Sequence, residues 1–134
     1  MQSLIIVSDM AEIVEVRRFL RENLEDLELS ERAYFIIELS LLEICTNIIR
    51  YAYPDEKGEI FLKIWRQEGK IFIEIRDNGV PFNPKKLEVP NINQAIKKKR
   101  TGGLGVFLAR QLMDGFDYRR GNGQNILTMY KSIE

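Results

Sequence analysis

Residues 59–76 limit what this chain can fold into more than any other stretch. In the run 59–67, Ile60, Leu62 and Ile64 alternate with Phe61, Lys63 and Trp65. After Glu68-Gly69 the alternation resumes over 70–76, with Ile71, Ile73 and Ile75 set against Phe72, Glu74 and Arg76. A period of two puts the first set of each run on one side, so a β-hairpin with one buried face is expected. A second hairpin is expected from 116–119 and 125–131 around Gly121-Asn122-Gly123. Hairpins require antiparallel pairing, which argues against a doubly wound parallel sheet.

The buried faces of those hairpins need a cover, and the rest of the chain supplies amphipathic helices. Ser3-Leu4-Ile5-Ile6-Val7 reads as a first strand. Ser8 or Asp9 then caps a helix over about 10–26, with Ile13, Val14, Val16, Phe19, Leu20 and Leu24 as its buried face. Ser30 caps a second helix that runs to Tyr53-Pro54, where proline turns its predecessor away from helical geometry. Over 83–100 periodicity fails: the segment holds Pro84, Pro90 and the basic run Lys97-Lys98-Lys99-Arg100. Such a loop within a compact domain is functional or mobile, and residues 84–101 are expected to move when the site is empty. Thr101-Gly102-Gly103-Leu104-Gly105 opens a last helix carrying Val106, Phe107, Leu108, Leu112 and Met113. The order β-α-α-β-β-loop-α-β-β predicts a two-layer α/β sandwich, a mixed but mostly antiparallel sheet covered on one face by helices. With 134 residues and no linker or repeat, one domain over 1–134 is expected.

Composition removes several function classes. Lys plus Arg equals Asp plus Glu at 20 each, so no net field draws the chain to nucleic acid. No apolar run approaches the length of a membrane span, and MQSLIIVSDM has no basic leader, so a cytoplasmic protein with no membrane partner is expected. Cys45 is the one cysteine and falls among apolar neighbours, as a small buried hydrophobe does. There is no histidine, which excludes Ser-His-Asp and Cys-His catalysis and HExxH zinc sites. Chemistry is left to carboxylates, amides, Lys, Arg, backbone amides or a bound metal.

The second helix carries an odd stripe. At about 100° per residue, Ile37, Leu41, Leu42, Ile44, Cys45, Ile48 and Ile49 cover one broad arc, while Ser40, Glu43, Asn47, Arg50 and Tyr51 fall on the opposite stripe. A solvated face normally carries long Lys and Glu side chains. Here an acid and an amide at i and i+4, Glu43 and Asn47, stand one above the other and can act on one object, such as a metal-bound polyphosphate. Either could hold the metal, the carboxylate being the stronger ligand. The glycines at 102, 103 and 105 precede a helix, where backbone amides can approach a phosphate, although such clusters are as often structural. The basic run beside them fits phosphate contact or a solvated strip equally well. Asp77-Asn78-Gly79 closes a central strand; it is turn chemistry in its own right, or a carboxylate placed for an exocyclic amine with Gly79 admitting a flat base.

Taken together, Glu43…Asn47 on a helix, Asp77-x-Gly79 after a strand, a variable lid over about 83–102 and Gly103-x-Gly105 at a helix start resemble the GHKL ATP-binding superfamily. That superfamily includes gyrase-type ATPases and the catalytic domains of histidine kinases. The phrases EICTN at 43–47 and GGLGVFLAR at 102–110 look closest to the anti-sigma factor serine kinases of the RsbW and SpoIIAB group. The resemblance implies ATP and Mg²⁺ as cofactors. It implies Asn47 as the magnesium ligand, Glu43 as the general base and Asp77 with Gly79 at the adenine. It implies Arg50 as a nucleotide-binding residue and, around the phosphates, Thr101, Gly102, Gly103, Leu104, Gly105 and Val106, with Arg100 reaching the γ-phosphate. It further implies phosphorylation of a serine on a STAS-domain anti-sigma factor antagonist, sequestration of a sigma factor, and a homodimer formed through the N-terminal strand. Two alternatives are a non-catalytic ATP/ADP-gated binding module and a histidine-kinase-like domain acting in trans. The chain departs from the pattern in Pro81, in Gln124 where gyrase-type relatives place a threonine near the adenine, and in a basic residue offset by one, so that Lys99, Arg100 or Thr101 takes its place.

Overall fold

The structure is a computed structural model that describes residues 1–81 and 104–133. The lid, with Arg100, Thr101, Gly102, Gly103 and the expected mobility of 84–101, lies outside the described residues. Strand β1 spans Gln2–Val7, a 3₁₀ turn follows at Met10–Glu12, and helices α1 (Ile13–Leu24) and α2 (Glu31–Tyr51) come next. The first hairpin is β2 (Glu59–Gln67) with β3 (Lys70–Asp77). Helix α3 (Leu104–Leu112) leads to the second hairpin, β4 (Gly115–Gly121) with β5 (Gln124–Ser132).

The strands form one five-stranded sheet in the order β1-β2-β3-β5-β4, and all four pairings are antiparallel. Both hairpins turn through two residues with positive φ, Glu68 (52°) with Gly69 (75°) and Asn122 (53°) with Gly123 (75°). Positive φ at both central residues matches the twist of the flanking strands and fixes the register. Ile60, Leu62 and Ile64 of β2, Ile71, Ile73 and Ile75 of β3, and Leu127 and Met129 of β5 are buried under the helices. They join Val16, Leu20 and Leu24 of α1 and Ile37, Leu41 and Ile44 of α2 in one core. Among the described residues the opposite face has no helical cover. There Trp65, Phe72 and Tyr130 lie side by side across three strands, with ring centroids 5.4 and 5.2 Å apart.

Helix entry follows the expected caps. The Asp9 side chain accepts from Ala11 N and that of Ser30 from Ala33 N, each satisfying a donor that the first helical turn cannot pair. Three sequence expectations need correction. The segment before Ile13 is a 3₁₀ turn, and Val14 is 56% exposed, outside the face built by Val16, Phe19, Leu20 and Leu24. Helix α2 ends at Tyr51, before Tyr53-Pro54, with the chain already in a turn at Ala52. The polar stripe of α2 does not oppose its core face. Ala33, Ile36, Ile37, Ser40, Leu41, Ile44, Cys45, Asn47 and Ile48 are the buried positions, whereas Leu42 and Ile49 are only half-buried. Both pack against the flank of the core, because α2 has more apolar residues than its buried face can hold. Ser40 and Asn47 are thus buried, and only Asn47 of the two lines the cleft described below.

Candidate functional site

The site grows from the end of β3. Inward-facing parity carries Asp77 to the buried side of the sheet, where it is 3% exposed, directly opposite Asn125 of β5. A carboxylate there requires donors. Asp77 Oδ1 accepts from Gly79 N at 2.8 Å and from Asn125 Nδ2 at 2.9 Å, while Oδ2 takes part in none of the hydrogen bonds among the described residues. Burial pushes the Asp77 carboxyl above the ordinary aspartate value, against the opposing pull of the Asn125 and Gly79 hydrogen bonds and of the Arg120 charge.

The residues after Asp77 are tied down on every side. Val80 N donates to Ala52 O at 2.8 Å, and Asn78 N donates to Tyr53 Oη at 2.7 Å. The Tyr53 hydroxyl in turn donates to Glu59 O. From β4, Arg120 Nη1 donates to Gly79 O at 2.8 Å. Gly79 lies so close beneath α2's C-terminus that a Cβ there would stand 2.6 Å from Ala52 Cβ and closer still to Ala52 O. The backbone contact, more than turn freedom, demands glycine here.

Above Asp77 lies a cleft whose walls are Ile44, Ile48, Ala52, Ile75 and Leu127 and whose polar groups are Asn47, Asp77, Tyr118 and Asn125, with Tyr51 at its border. Apolar walls with a few convergent polar groups are the usual build of a small-molecule site. Asn47 is 7% exposed and lines this cleft from α2. Glu43, one helical turn earlier, is half-buried and lies against the start of α3. A Cβ on Gly105 would sit 2.6 Å from Glu43 Cγ and overlap its carboxylate, so the second residue of α3 must be glycine for that carboxylate to lie where it does.

Asn47 and Asp77 therefore share one cleft, and Glu43 meets Gly105 at the α2–α3 contact. Arg50 is exposed and does not line the cleft. Leu104 opens α3, and the Val106 side chain is 1% exposed, within the core. Among the described residues no three Asp, Glu, Cys or His side chains gather as a metal cage.

Four residues of this region were not singled out from sequence: Tyr53, Tyr118, Arg120 and Asn125. Asn125 could have been found, because Leu127 and Met129 face the core and the residue two before Leu127 shares their side of the strand. A polar residue at an inward position signals a buried partner. Gln124 itself points elsewhere, donating to Asn78 Oδ1 at 3.1 Å and accepting from Arg76 at 3.4 Å. Asn125, one residue on, is what reaches Asp77.

With this geometry in view, residues 6–131 match the family model of the histidine kinase-like ATPase domain. The chain belongs to that family. A serine-protein kinase RsbW of Bacillus mycoides is 30% identical over 97% of this chain and 77% of its own length. One from Bacillus cereus is 29% identical over the same shares. This GHKL-type chain thus groups with the RsbW kinases. The histidine kinase AdeS of Acinetobacter baumannii superposes with a TM-score of 0.52 at 20% identity, covering all of this chain and 70% of that one, which shows the shared fold.

Proposed function

We propose that this protein is an ATP-dependent serine kinase that phosphorylates a STAS-domain anti-sigma factor antagonist and otherwise sequesters a sigma factor. The observation that carries the proposal is the convergence of Asn47, Asp77 and Asn125 in one apolar cleft, with the Glu43 carboxylate a single turn away on the same helix. The relatives that match along nearly the whole chain are named as serine-protein kinases, which favours phosphotransfer over a purely nucleotide-gated binding module.

In this proposal the cleft takes the adenine, with Asp77 Oδ2 accepting a hydrogen bond from the exocyclic amine and Gly79 keeping the floor flat. Asn47 is the magnesium ligand. A single amide oxygen, with no carboxylate cage among the described residues, suits an ion whose other ligands are phosphates and waters. When bound, magnesium neutralises charge on the phosphates during transfer. Glu43 accepts the proton of the attacking serine hydroxyl. Gly105, seated against that carboxylate, holds it in place from α3. The glycines at 102 and 103, with Thr101 and Arg100, complete the phosphate end from the lid. Among the described residues no helix is long and apolar enough to cross a membrane. The free edge of β1 is the natural seam for a homodimer, since an edge strand presents unpaired backbone groups.

Glu43→Ala separates the kinase from a switch that never transfers phosphate. We expect magnesium–ATP affinity within about threefold of wild type and transfer lowered by about 10²-fold or more, the range for loss of a positioned base. Undiminished transfer would remove Glu43 from the chemistry, and a large loss of ATP affinity would reassign it to binding.

A further inference from the structure

Asn125 is fixed by three hydrogen bonds that leave it one orientation. Its amide nitrogen donates to Asp77 Oδ1 at 2.9 Å and to Val80 O at 2.8 Å, and its amide oxygen accepts from the Tyr118 hydroxyl at 2.6 Å. Turning the amide over would point its oxygen at two acceptors. Tyr118 and Asn125 are brought together by the second hairpin, in which Tyr118 pairs with Leu127, two residues from Asn125. Asp77 Oδ1 already accepts from Asn125 and from Gly79 N, so the carboxylate can offer the cleft only Oδ2.

We infer that Tyr118 and Asn125 form a relay that holds Asp77 as a hydrogen-bond acceptor and so makes the cleft select a 6-amino purine over a 6-oxo purine. The inference rests on the nucleotide-binding proposal and deepens it. Adenine presents an amino donor at C6, which Oδ2 accepts. Hypoxanthine presents a carbonyl there, and acceptor faces acceptor unless Asp77 takes up a proton and donates. The two bonds on Oδ1 stabilise the charged carboxylate and oppose that proton. Without the Tyr118 hydroxyl the amide oxygen loses that partner while the bond to Val80 O remains, the bond to Asp77 loosens, and a protonated Asp77 that suits a 6-oxo base becomes accessible. Tyr118 and Asn125 are positioning residues in this scheme; Asp77 is the group that touches the base.

The test is calorimetric titration of the whole chain with ADP and with IDP, each with magnesium, for wild type, Tyr118→Phe and Asn125→Leu. Thermal melts establish that each variant is folded. For wild type we expect ADP to bind about 10- to 100-fold more tightly than IDP, as for loss of one charge-assisted hydrogen bond in a built site. In Tyr118→Phe the ratio should shrink by about three- to tenfold, and in Asn125→Leu by at least as much. A role confined to holding the loop would weaken both nucleotides in parallel and leave the ratio at its wild-type value, which overturns the relay. Should Asn125→Leu not fold, the Tyr118→Phe ratio decides. If wild type binds neither nucleotide, the nucleotide proposal falls and the relay with it. If wild type binds both equally, the nucleotide proposal stands and the relay falls alone.

Discussion

At the scale of the single residue, Asp77 carries the sharpest consequence. Burial raises its pKa above the ordinary 3.8. An acid whose folded value is raised is disfavoured in its charged form, so its ionisation costs stability at neutral pH. That cost is relieved as pH falls through the folded value toward 3.8. Asp114 runs the other way: the Ser132 amide first, then Lys131, holds its carboxyl low. Its contribution is present above 3.8 and lost as pH falls through its folded value. For ligand binding the direction is plain, because ionised Asp77 is the stronger acceptor for an amine and the protonated form offers a donor at Oδ2 instead. The groups facing it are Asn125, Tyr118 and Arg120 from the second hairpin and Tyr53 from the segment after α2. ADP affinity should fall as pH drops from about 7 toward 4, and Asp77→Asn should be weaker throughout and lack that part of the slope. Titrations of both proteins across this range check it; identical slopes would mean that Asp77 does not meet the base. The Asp-Asn-Gly sequence made Asp77 legible, but a turn and a ligand site look alike until the burial of the carboxylate is known. Asn125 was legible in part: the strand from 125 puts it on the side of Leu127 and Met129, but the sequence does not say that its buried partner is Asp77.

At the scale of elements, the hairpins were the easiest to read, because strict alternation and a two-residue turn leave little freedom of register. The helices were harder. Apolar residues fill more than half the circumference of α2, so its sequence sets the period but not the phase. Packing against α1, α3 and the sheet sets the phase and leaves Leu42 and Ile49 half-buried at the flank of the core. The α2–α3 contact is where the position of Glu43 is determined. In Gly105→Ala the added methyl meets the flexible end of Glu43, which can move, and alanine favours the helix by about 1 kcal/mol over glycine. The fold should therefore survive while the carboxylate shifts. Displacement of a catalytic group by about an ångström typically costs about 10²-fold. Stopped-flow or steady-state phosphotransfer should show kcat reduced about 10- to 100-fold, with nucleotide affinity changed less than about threefold. A matching loss of affinity would place Gly105 at the phosphates instead.

At the scale of the whole molecule, a sheet covered on one face concentrates function at one end of the helical layer. The C-terminus of α2, the end of β3 and the second hairpin meet there around the cleft, and the start of α3 abuts Glu43 farther back along α2. The layer order was legible from the succession of elements, since antiparallel hairpins with three amphipathic helices allow few other arrangements. The meeting of Asn47, Asp77 and Asn125 was not, because it depends on the crossing of α2 over the sheet, which no local pattern encodes. The family and the named relatives then turn a cleft with a nearby carboxylate into a proposed kinase. The decisive measurement is mass spectrometry of a STAS-domain antagonist encoded beside this protein, after incubation with the protein and magnesium–ATP. We expect one phosphoserine on the antagonist, formed about 10²-fold or more slowly when Glu43→Ala replaces the wild type. An antagonist that stays unmodified while the protein demonstrably binds ATP would contradict the assignment of Glu43 as a base and leave a nucleotide-gated binding module in its place.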